Sequence, residues 1–106
     1  MKLQNIGAEF AYGKIENMLS NKNYFHSVTG IKYEAYIKGD YIFYKGGKRN
    51  NGEDETISKV DFISAFNAIK SLTDINTNTI KHLIPTSIYK KRTPFVGLLR
   101  SAGLII

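Results

Sequence analysis

Two runs of alternating side chains meet at Gly39-Asp40, and that reversal constrains the fold more than any other stretch of the chain. Ile31, Tyr33, Ala35 and Ile37 alternate with Lys32, Glu34, Tyr36 and Lys38, the period-two pattern of a strand with one apolar face. Gly39-Asp40 is a two-residue loop of the kind that closes a hairpin. The register follows: Lys38 faces Tyr41, Ile37 faces Ile42, Tyr36 faces Phe43 and Ala35 faces Tyr44. One face then carries Tyr33, Ala35, Ile37, Ile42 and Tyr44. The other carries Tyr36, Tyr41 and Phe43 among Lys32, Glu34, Lys38 and Lys45.

Something must cover the first face, and Thr56–Leu72 is built to do so. Ser58 followed by Asp61 is a capping-box-like start, and Phe62, Ala65, Phe66, Ile69 and Leu72 then recur at steps of three and four. They form a stripe about 120° wide on a helical wheel, as a core-facing helix requires. Between the hairpin and this helix, Asn51-Gly52 is the strongest short turn signal in the chain. Taken as a two-residue loop, it sets Arg49 opposite Asp54 and Lys48 opposite Glu55, with Gly46-Gly47 as a bulge or bend.

The flanks read as follows. Met1–Gly7 is a short lead-in. Ala11, Ile15, Met18 and Leu19 predict a helix over residues 8–20, weakened by Gly13. Asn21-Lys22-Asn23 breaks it, and Tyr24–Thr29 suits a short strand ended by Gly30. Ile80, Leu83 and Ile84 predict a short helix over 78–84, stopped by Pro85. Residues 86–92 fit helix or extended chain alike. Thr93-Pro94 makes an N-cap and first-turn pair for a last helix through Phe95, Leu98, Leu99 and Ala102, stopped by Gly103. Leu104, Ile105 and Ile106 are apolar enough to dock on the core. The expected fold class is α+β in one domain, residues 1–106: an antiparallel three- to four-stranded meander with an N-terminal helix and two to three C-terminal helices packed on one face.

Composition removes several function classes. Without cysteine there is no disulfide, thiolate metal site or cysteine nucleophile. No apolar run approaches the ~20 residues that span a bilayer, and nothing resembles a signal peptide, so a cytoplasmic location without membrane contact is expected. The net charge of +6 favours polyanionic partners. A competing explanation is coding bias. Lysine, asparagine, isoleucine and tyrosine abound while arginine, the better bidentate phosphate ligand, occurs only three times.

The candidate residues divide into three groups. Residues 77–106 hold Lys81, Lys90, Lys91, Arg92 and Arg100 and no carboxylate, which suits a phosphate-contacting surface; a solvated charged loop explains the same run. Lys48 and Lys38 are outlying contacts. Tyr36, Tyr41 and Phe43 beside Lys32, Lys38 and Lys45 suit a stacking platform for single-stranded nucleic acid, unless the N-terminal helix or a partner subunit covers them. The helix after Thr93 is too apolar to read base edges. His26 and His82 are the only histidines, a weak basis for metal binding, though they would suit the acid and base of a metal-independent ribonuclease if they shared a cleft. Glycine spacing around Gly46-Gly47 matches no nucleotide loop.

The reading that follows is a small basic binding domain without enzymatic activity, cofactor or metal. It engages nucleic acid mainly through phosphates on its C-terminal basic surface. The alternative is a protein-interaction or oligomerisation module of phage or plasmid type, with a ribonuclease as the third.

Overall fold

A computed structural model describes residues 1–106. Helix α1 (Ala8–Asn21) leads into β1 (Tyr24–His26), β2 (Lys32–Lys38), β3 (Tyr41–Gly46) and β4 (Glu55–Ser58), which form one antiparallel sheet in sequence order. Helices α2 (Lys59–Ala68), α3 (Thr86–Tyr89) and α4 (Arg92–Ser101) follow. The fold is α+β, as expected, with a four-stranded meander. No helix is long and apolar enough to cross a membrane.

The β2–β3 register is the one the alternation dictates, from Lys38↔Tyr41 to Ala35↔Tyr44. Its inner face buries Tyr33, Ala35, Ile42 and Tyr44, joined by Phe25 of β1 and Ile57 of β4. Phe25 stacks on Tyr33 at 5.0 Å, and Tyr44 meets Tyr33 edge-on at 5.9 Å. Beneath them, Phe62 of α2 ties the helices together: it meets Tyr12 of α1 at 5.4 Å and Phe95 of α4 at 5.7 Å, both edge-to-face. Ser58 caps α2 by accepting from the Asp61 amide at 3.1 Å. The helix itself ends at Ala68, and Leu72 lies beyond it, half-buried.

Helix α4 runs beneath the sheet packed along β1, and side chains at its two ends bond the two edge strands. At its start, Lys91 Nζ donates to the backbone carbonyl of Thr56 on β4. At its end, the Ser101 hydroxyl accepts from the His26 amide at 3.4 Å and donates to the His26 carbonyl at 3.2 Å, on β1. Halfway along, Gly97 lets the helix touch the sheet backbone. A Cβ there would lie 2.9 Å from both the His26 carbonyl oxygen and Ser27 Cα.

Several local expectations are corrected. Asn51-Gly52 does not close a two-residue hairpin. Asn50 and Asn51 both take left-handed φ values, 48° and 53°, inside a wider loop over Arg49–Gly52. β4 then pairs Ile57 with Ile42, where a two-residue turn would have set Ile57 opposite Gly46. Burial of that apolar pair outweighs the local turn preference, and Arg49 reaches Glu55 through its side chain rather than by register. Residues 78–84 form irregular turns: the Asn76 side chain accepts from the amides of Asn78 and Thr79 at 2.9 Å as an N-cap would, but the turns that follow do not extend into a helix before Pro85, which disfavours helical backbone at the residue ahead of it. Ile80 and Ile84 are buried there, but Leu83 faces solvent. The last helix begins at Arg92 with Lys91 as its N-cap, so Thr93 and Pro94 lie within its first turn. Its stop is as expected: Gly103 takes φ 72°, and Leu104 N donates to Leu99 O while Gly103 N donates to Arg100 O, a Schellman ending. Both termini are structured, since Leu3 bridges Ile105 antiparallel.

Two glycines should respond to alanine with opposite sign. Gly97→Ala forces α4 off the sheet backbone, costing about 1–3 kcal/mol as overpacking does. Gly13, in the interior of α1 with nothing within 4 Å of its Cβ position, should gain up to about 1 kcal/mol. Urea midpoints of the two variants check both signs; a neutral Gly97→Ala would contradict the close crossing.

The buried tyrosines set an alkaline limit. Burial pushes the Tyr12 phenol up to about 12, with Glu16 and Asp40 adding to it. Burial likewise raises Tyr44, helped by Glu55 and opposed by Arg49. Each is kept neutral by the fold, so its contribution is complete below the unfolded value near 10 and is lost as pH rises beyond it. The urea midpoint should fall steadily from about pH 10 upward. Tyr44→Phe, which removes a buried hydroxyl that faces the Arg49 guanidinium without a well-formed hydrogen bond, should flatten that fall with little loss of stability at neutral pH.

Candidate nucleic-acid interface

Because every helix lies beneath the sheet, the upper face stays open. The N-terminal helix does not cover it. The face presents Tyr24 and His26 from β1; Lys32, Glu34, Tyr36 and Lys38 from β2; Tyr41, Phe43 and Lys45 from β3; and Thr56 from β4. Tyr36 is 46% exposed and Tyr41 50%, while Phe43 between them is half-buried. Cross-strand pairing puts Tyr36 and Phe43 ring on ring, with centroids 5.0 Å apart and planes parallel. Tyr41 meets Phe43 at 6.4 Å and 61°. The outcome is a step of aromatic surface three rings long, in the middle of the sheet.

Cations border it. Lys32 and Lys22 both lie over the Tyr24 ring, at 4.7 and 5.3 Å. Of Lys32, Lys38 and Lys45, only Lys45 meets a carboxylate, Glu34 at 3.7 Å in the open. Such an exposed pair holds its partners weakly. The Tyr36 hydroxyl donates to Asp54 Oδ2 at 3.3 Å, which anchors the ring at the loop side of the face.

The C-terminal cations are distributed differently. Lys91 turns inward onto Thr56. Arg92 stacks over Tyr89 at 4.3 Å and donates from Nη1 to the Tyr89 carbonyl at 2.8 Å. Lys90 is exposed, and its carbonyl accepts from Arg49 Nη2 at 2.8 Å. Lys90 and Arg92 line one small cleft with Thr77, Tyr89 and Thr93. Lys81, in the irregular turns, and Arg100, on the last turn of α4, line no part of it; Lys48 is exposed on the β3–β4 loop. Pro94–Leu99 are all buried, so α4 has no free face to lay in a DNA groove.

His26 and His82 are both exposed. No hydrogen bond or ring contact joins them, and His26 makes its ring contact with Tyr24 at 5.7 Å. The molecule has no group of three histidine or acidic residues placed to hold a metal ion. Tyr24 and Thr56 belong to the open face although the sequence did not single them out. Their place depends on pairing β1 and β4 with the central hairpin, which the pattern of β2–β3 alone does not set. Comparison with protein-family profiles, curated proteins and solved structures returns no match for this chain.

Partial desolvation, then the Asp54 carboxylate and its hydrogen bond, raise the Tyr36 phenol above its ordinary value. Asp54→Asn should bring it down, read by ultraviolet absorbance of the phenolate with Tyr36→Phe as the subtraction. An unchanged titration would show that Asp54 does not hold this ring.

Proposed function

We propose that the protein binds single-stranded nucleic acid across the open sheet face, with bases stacking on Tyr36 and Phe43 and phosphates meeting Lys32, Lys38 and Lys45. One observation carries the reading: an uncovered, parallel pair of rings on the sheet with a third ring and three lysines around it. Exposed aromatic faces accept any base, and a basic border tracks the backbone. The C-terminal cations become a secondary contact here, since Lys91 and Arg92 already serve the fold. A protein partner adding a strand at a sheet edge is less favoured, because Lys91 and Ser101 occupy backbone groups on the two edges.

Fluorescence anisotropy with labelled oligothymidylate and oligouridylate tests it. Tyr36→Ala and Phe43→Ala should each weaken binding about 5- to 150-fold, the equivalent of about 1–3 kcal/mol for one stacked base. Between about 50 and 200 mM salt the log–log slope should shrink by about 0.7 for each of Lys32, Lys38 and Lys45 changed to glutamine. Binding that survives both ring substitutions unchanged would refute the platform.

A further inference from the structure

The cleft at the α3–α4 corner differs from the open face in kind. Its lining of Thr77, Tyr89, Lys90, Arg92 and Thr93 supplies two cations and three hydroxyls and no carboxylate. The backbone brings those two cations together without neutralising them. The molecule's three ion pairs are Met1 with Asp74, Lys45 with Glu34 and Arg49 with Glu55, so neither Lys90 nor Arg92 belongs to one.

The lining is also held in place from three sides. Arg92 is fixed by the Tyr89 ring and carbonyl, which leaves part of its guanidinium fork unengaged. The main chain at Lys90 is clamped by Arg49, itself bidentate on Glu55 at 2.8 and 3.2 Å. The turn carrying Thr77 is tied down by the Asn76 side chain. A planar guanidinium, an ammonium and several hydroxyls around a concave space match the oxygens of a phosphate group, and concavity concentrates the positive potential.

We infer that this cleft is a phosphate-binding site. It is tied to the sheet: Lys91, between Lys90 and Arg92, reaches the backbone of Thr56, which sits opposite Phe43 in the register. Resting on the function proposed above, the phosphate is a backbone phosphate of the bound strand, taken where the strand leaves the sheet at β4. A free phosphate would use the same donors, and the experiment separates the two.

The test is a backbone-amide NMR titration of the whole protein with inorganic phosphate, against sodium chloride at matched ionic strength. Phosphate should shift the amides of Thr77 and of residues 89–93 saturably where chloride does not. Lys90→Gln and Thr77→Val, both away from the core, should raise the half-saturation concentration at least about threefold, the order expected for loss of one solvent-exposed charge contact. Shifts indistinguishable from those of chloride overturn the inference. In the oligonucleotide assay, Lys90→Gln should reduce the salt slope by about 0.7. An unchanged slope alongside saturable phosphate binding makes the source a free phosphate. Saturable phosphate binding with no oligonucleotide affinity leaves the cleft standing and removes the sheet-face reading instead.

Discussion

The architecture depends on how α4 is strapped beneath the sheet. The helix packs along β1, and a side chain at each of its ends reaches an edge strand. Lys91 bonds Thr56 on β4, and Ser101 bonds His26 on β1. The close crossing at Gly97 brings the helix against the sheet backbone, so Phe95 can reach Phe62 and lock α2 into the same layer. Edge strands invite pairing with other chains, and these two side-chain bonds occupy outward backbone groups at just those places. With four helices assembled below and both edges engaged, the surface left for anything else is the upper face.

That face carries a cost that the fold itself does not require. Tyr36 and Tyr41 expose about half their area to water, and exposed aromatic surface grouped in one place is uncommon where nothing uses it. Coding bias accounts for an abundance of lysine and tyrosine, but it makes no prediction about position. Here the rings fall on the outward positions of adjacent strands and in register, with lysines at the positions flanking them. The same amino acids scattered over helices and loops would have no such effect. Position, not count, therefore supports the binding reading.

Much of this was legible in the residues. A period-two pattern reversing at Gly39-Asp40 leaves one sensible register, because each side chain's face is decided by its neighbour's, and the platform residues follow from it. The Ser58 cap was equally readable, being a purely local interaction. What failed was local chemistry overruled at a distance. Asn51-Gly52 favours a tight turn in isolation, yet Ile57 must find Ile42, and the loop widens to allow it. Residues 78–84 carry helical spacing and even an N-cap at Asn76, but the segment is short and Pro85 closes it before a helix is established. The fate of Lys91 was not readable at all, since nothing near it in sequence announces Thr56, 35 residues away.

Lys91 also connects the cleft to the sheet. Its neighbours Lys90 and Arg92 line the cleft, while its own amine is attached to the strand residue facing Phe43. A run of three basic residues is ordinarily a flexible, solvated patch. Here the middle residue is an anchor, and anchoring it obliges the two flanking residues to project from a fixed corner beside the sheet. An anchored cation set between two that belong to no ion pair is what converts a diffuse charge into a directed one. Electrostatic attraction alone would draw a polyanion anywhere on a protein of charge +6, whereas the proposed binding would use a fixed corner and a stacked ring pair to give it a place and an orientation.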